Sequence, residues 1–192
     1  AAEPLVGHHH RIERAVAVTL VACSGFAAMA LEVLWSRTLQ HWTAALATSF
    51  AVLLALYLAM LALGAFATQR IADRASSPLR AASLLLGATG ATALAPIAGA
   101  YAWRDIERAW WPRAAEMRRL SLWADAVDAL LHASYLEALP CLLMGACFPF
   151  MAAAFLRDGR AGAKTGQLLT INTIAGVLGA LVMSFACLPA LG

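Results

Sequence analysis

Five stretches of this sequence stay apolar for about the 20 residues that an α-helix needs to cross hydrocarbon roughly 30 Å thick. They run from Ala15 to Trp35, Ala44 to Ala67, Ala81 to Tyr101, Ser134 to Phe155 and Leu168 to Leu191. A water-soluble domain would be about 45–50% apolar and about 25% charged. This chain is 62% hydrophobic and 13% charged over 192 residues. The surplus has to face lipid, so the expected fold is an all-α integral membrane bundle of about five transmembrane helices. Residues 1–14 are expected to be a cytoplasmic tail and 15–192 the transmembrane domain. The formal charge of +3 is too small, and its Lys and Arg too dispersed, for a nucleic-acid stripe.

The short link from Ser36 to Thr43 makes the first two spans antiparallel neighbours. Ser76-Ser77-Pro78 reads as the cap and first turn of the third. Counting Lys and Arg, the side holding Arg11, Arg14, Arg70, Arg74, Arg80, Arg157, Arg160 and Lys164 is the more basic. This places the N-terminus in the cytoplasm and the end of the fifth span outside. The membrane is then expected to be a bacterial inner membrane. The first run, with its two arginines and Ala28-Met29-Ala30, superficially spells a signal peptide; its length reads as an uncleaved anchor.

All six tryptophans then fall at or beyond the outer helix ends. Tryptophan favours that depth, because its ring is apolar and its N–H seeks water. The outer connection, residues 103–132, repeats apolar residues mostly three or four apart and is expected to form amphipathic helix. Trp110, Met117, Leu120, Trp123 and Val127 would be buried on lipid or on a partner.

Charged groups within spans are the candidate functional residues, since placing one at bilayer depth costs about 2.5–3.5 kcal/mol on insertion scales. Glu32 lies near the end of the first run. It either snorkels to the interface or joins a polar cluster with Arg37, His41 and Glu137. Glu137 shares its span with Pro140, Gly145 and Pro149, and two prolines should distort that helix. In the fifth span, Asn172, Thr173, Gly176 and Gly179 form a polar and small-residue face suited to close helix packing. Cys23, Cys141, Cys147 and Cys187 all lie in apolar runs with no C-x-x-C pair, so no metal site is expected. His8-His9-His10 stands on the polar terminus, outside the expected fold.

Three stretches together resemble the multispanning domain of membrane-fused, major-facilitator-like spermidine synthase-like proteins. They are Ser24-Gly-Phe-Ala-Ala-Met-Ala-Leu-Glu-Val-Leu-Trp-Ser-Arg37, the LP-x-x-x-MG-x-x-FP-like segment from Leu139 to Pro149, and the Asn-Thr-containing helix from Gly166 to Ala180 followed by Leu188-Pro-Ala-Leu-Gly192. Gly64 with Arg70-Ile-Ala-Asp-Arg74 loosely resembles the Gly-x-x-x-Asp-Arg signature of major-facilitator transporters, but with wider Gly–Asp spacing. Proteins of the resembled family carry an aminopropyltransferase domain. This sequence has no G-x-G-x-x-G after a strand and no Ser/His/Asp or paired-carboxylate constellation on a soluble scaffold. The resemblance implies a non-catalytic membrane module with no cofactor of its own. It would anchor a synthase domain or serve as an accessory subunit beside other membrane proteins. The alternative is half of a transporter for a small cationic metabolite such as a polyamine, with Glu32 and Glu137 as cation ligands.

Overall fold

The computed structural model describes residues 3–42, 46–99, 122–156 and 161–191, and every element among them is helical. Helix α1 runs Glu3–Trp42, α2 Leu46–Arg74 and α3 Pro78–Ala98. A continuous rod follows: α4 (Leu122–Ala133), a π-helical turn (Ser134–Ala138) and α5 (Leu139–Leu156). The last rod comprises α6 (Ala161–Val182), a π turn (Met183–Cys187) and α7 (Leu188–Leu191).

Four segments are long and apolar enough to cross a membrane: Ile12–Gln40, Ala47–Arg74, Asp125–Phe155 and Ala163–Ala190. By length and composition this is an integral membrane protein. Helix α3, 21 residues long, is the remaining expected span.

Two buried clusters fix the direction of the helices. One joins Ala17 and Val21 at the start of α1, Ala72 at the end of α2, Ala82 at the start of α3, Met151 and Phe155 at the end of α5, and Leu168 at the start of α6. The other joins Trp35 and Leu39 late in α1, Leu53 and Tyr57 early in α2, Ala93 late in α3, and Ala133, Leu136 and Cys141 in the fourth rod. Successive rods therefore alternate in direction. The fourth is the most central, with 50% of its most apolar stretch buried against 11% for the last. Helices α2 and α3 pack along α5, while α6 packs along α1 and touches α5 only slightly.

Lipid tails are as apolar as leucine, so burying apolar surface between helices gains little in a bilayer, and close backbone packing has to supply the attraction. The structure places glycine at both main crossings. A Cβ on Gly145 of α5 would strike the Leu61 carbonyl of α2, and one on Gly64 of α2 would strike the Leu142 carbonyl of α5. Thr68 Oγ1 spans the same seam, donating to the Ala146 carbonyl at 3.0 Å and sharing that proton with its own-helix Gly64 carbonyl at 2.9 Å. Between α1 and α6, Gly25 faces the Asn172 carbonyl and Gly179 faces the Phe26 carbonyl. Tyr135 O–H donates to the Pro96 carbonyl at 3.2 Å, tying the fourth rod to α3.

Several expected boundaries move. Helix α1 starts at Glu3, so residues 3–14 of the expected tail are helical; at 1.5 Å per residue its 40 residues span about 60 Å, roughly twice the hydrocarbon thickness. Helix α2 continues to Arg74, leaving only residues 75–77 as a link before Pro78. The chain turns there because Pro78, having no N–H, suits a helix start; Ala81 N–H then donates to the Ser77 carbonyl at 3.2 Å. Residues 122–133 of the expected surface helix instead run straight into the fourth span. Asp128, Ala129, His132 and Ala133 are buried, whereas Trp123 is 81% exposed and Val127 44%. Trp110, Met117 and Leu120 lie outside the described residues. Trp35, expected at the interface, is instead buried inside the bundle.

Candidate intramembrane polar site

Glu137 sits on the π turn that joins α4 to α5. Pro140 has no N–H to give the carbonyl of Leu136, four residues before it, and a widened helical turn is a means of re-pairing carbonyls beside such a gap. Single π turns recur at functional sites because they rotate side chains out of α register. The Glu137 side chain is 0% exposed, and both carboxylate oxygens are buried without a hydrogen-bond partner among the described residues.

Helices α2 and α3 pack against this turn. Glu32 of α1, half-buried, lies within electrostatic reach of Glu137; Tyr57 of α2 and Cys141 of α5 feel both carboxylates. Trp35 packs in the same buried cluster as Tyr57, Leu136 and Cys141, and its indole N–H is buried with no partner among the described residues. The site thus combines two carboxylates, a phenol, a thiol and an indole, drawn from α1, α2 and the fourth rod.

Of the four residues expected in a polar cluster, Glu32 and Glu137 lie within electrostatic reach of one another. Arg37 is exposed on α1. The His41 side chain lies outside what is described. Sequence reasoning missed Tyr57, Cys141 and the inward role of Trp35. Tyr57 did leave a signal, since it stands in the middle of an apolar run rather than at an interface, where tyrosine usually collects. Cys141 stands four residues beyond Glu137, one turn along the same face.

Two lateral recesses open beside this cluster. One, about 410 Å³, is lined by Gly25, Met29, Thr173, Gly176 and Leu181 among others. The second, about 320 Å³, is lined by Ser24, Leu61, Met144, Gly145 and Phe148 among others. Ala28, Tyr57 and Asn172 line both, so Tyr57 belongs at once to the recesses and to the carboxylate cluster. Asn172, Gly176 and Gly179 face α1 at the α1–α6 crossing, while Thr173 is exposed.

Near the start of the same rod, His132 Nδ1 lies 2.8 Å from the Asp128 carbonyl oxygen and 3.6 Å from its carboxylate. The carbonyl can only accept, so Nδ1 carries the hydrogen. Among the described residues, no group of three His, Cys, Asp or Glu side chains is arranged to hold a metal ion. Set against protein-family models, curated proteins and solved structures, the chain matches none of them.

Proposed function

We propose that this chain is a non-catalytic multispanning membrane module, an anchor or accessory subunit of a larger membrane assembly, seated in a bacterial inner membrane with its N-terminus in the cytoplasm. The observation that carries this reading is the position of α6. That helix is held along one face by α1 and turns Ile174, Val177, Leu178, Leu181 and Phe185 outward. A helix attached to its own bundle along a single seam leaves room for another helix on the opposite side. The resemblance of three stretches to the membrane half of spermidine synthase-like proteins supports the same reading.

A photo-crosslinking residue placed at Val177, with Leu84 on exposed α3 as the comparison, tests this in native membranes. Val177 is expected to give one discrete protein adduct and Leu84 lipid adducts. A membrane-spanning partner that itself carries a Rossmann-type aminopropyltransferase domain would make the chain a synthase anchor, and other membrane subunits would make it an accessory. Lipid adducts alone at both positions would overturn the proposal.

A further inference from the structure

An intramembrane carboxylate ordinarily pairs with a cation or with backbone donors. Glu137 has neither among the described residues, though it is fully buried. The titratable groups within its electrostatic reach are Glu32 from α1, Tyr57 from α2 and Cys141 from its own rod. Two ionised carboxylates within electrostatic reach of one another are acceptors in want of donors, and a cation bearing N–H groups is a partner that would satisfy both. The rings of Trp35 and Tyr57 in the same cluster add faces that attract a cation. Calcium takes six to eight oxygen ligands, more than this pair supplies. The recesses that reach Tyr57 are walled mainly by apolar side chains such as Met29, Phe148 and Leu181, which suit an alkyl chain.

We propose that Glu32 and Glu137, together with the Tyr57 and Trp35 rings, bind a primary alkylammonium cation whose alkyl part lies in the lateral recesses between α1, α2, α5 and α6. The ammonium donates to the Glu137 carboxylate, and Glu32 supplies the second negative charge. Binding of this kind is independent of what the bundle anchors and requires no transport. The ammonium belongs either to a free amine or to an amine-headgroup lipid reaching in from the membrane.

The test uses the full chain in phosphatidylcholine nanodiscs, with thermal unfolding followed by tryptophan fluorescence. n-Butylammonium chloride is expected to raise Tm saturably, because a ligand that binds only the folded state stabilises it. Sodium chloride at equal ionic strength should not. Glu137→Gln should abolish the rise, and Glu32→Gln should weaken apparent affinity about tenfold, the scale of losing one charge partner in a partly buried site. Circular dichroism of both variants checks that the helices remain. Absence of a rise in the wild type would mean that Glu137 is satisfied otherwise, for example by a water shared with Trp35, and would overturn the proposal. An equal rise with sodium chloride, or a rise retained in Glu137→Gln, would also overturn it. Repeating the titration with phosphatidylethanolamine present assigns the source: competition points to the lipid headgroup, and an unchanged response to a free amine.

Discussion

Gly145→Ala is the sharpest test of how this bundle holds together. The new methyl would press on the Leu61 carbonyl oxygen, 2.7 Å from Leu61 Cα and 2.8 Å from its carbonyl carbon. Carbon atoms in contact prefer about 3.5–4.0 Å, so α2 and α5 must part by roughly 1 Å. A gap of that size forfeits a quarter to a half of each contact's attraction. At about 0.15 kcal/mol per atom pair, and taking for the seam around Gly145 the roughly 40 pairs that one buried leucine-sized side chain makes, the loss is about 1.5–3 kcal/mol. Alanine's better helix propensity returns about 0.8–1 kcal/mol, leaving a net destabilisation of about 0.5–2 kcal/mol. Gly87 and Gly90 provide the internal control, because a Cβ there meets nothing within 4 Å. Gly87→Ala should be neutral or stabilise by up to about 1 kcal/mol. Both variants would be unfolded by SDS titration in mixed micelles, with helicity and tryptophan fluorescence as readouts. If Gly145→Ala proved as stable as Gly87→Ala, the α2–α5 seam would not be set by backbone contact, and the packing argument would fail.

Other outcomes follow from the same geometry. Thr68→Val keeps the shape but removes the 3.0 Å bond to Ala146, and should cost about 0.5–1 kcal/mol in the same titration. Tyr135→Phe, losing its 3.2 Å bond to Pro96, should cost a similar amount and loosen α3 from the fourth rod, read as faster protease cleavage near residue 99. In a background without native cysteines, Ser76→Cys and Trp123→Cys should label with a membrane-impermeant maleimide from opposite sides of the membrane; labelling from one side alone would refute the alternating topology. Cys141 and Cys147, both 0% exposed, should resist a membrane-permeant maleimide that modifies exposed Cys23.

The apolar runs were legible because bilayer thickness imposes a minimum length on them. Their ends were not. The length rule concerns hydrocarbon and is silent on how far a helix continues into water, which is why α1 reaches back to Glu3 and α2 on to Arg74. Residues 122–133 carried a true helical period, but period does not say which of two faces turns inward. Here the polar face does, with Asp128 and His132 buried and Trp123 outside. That Glu32 and Glu137 come within electrostatic reach was readable by counting residues from span ends, since both fall at matching depth on oppositely directed helices. The part played by Tyr57 was not, because a lone phenol in an apolar run carries no mark of what it meets.

The glycine seams and the polar site share one geometry. Glu32 stands seven residues after Gly25 on α1, and Tyr57 seven residues before Gly64 on α2. Seven residues are about two α-helical turns, so each side chain lies on the same helix face as its glycine, roughly 10 Å along the axis. Rods that touch at a glycine draw apart on either side of the contact, and at two turns' distance there is room for side chains of this size. Glu137 stands eight residues before Gly145. In an unbroken α-helix that offset would rotate it about 80° away from the face that Gly145 turns to α2, and Ala138, about 20° off, would hold the equivalent place. The π turn Ser134–Ala138, which is underwound at Glu137, turns it part of the way back toward that face. Proline at position 140 therefore has a consequence beyond bending. By favouring the wider turn immediately before it, Pro140 directs a carboxylate, in place of an alanine methyl, to where α1 and α2 present Glu32 and Tyr57.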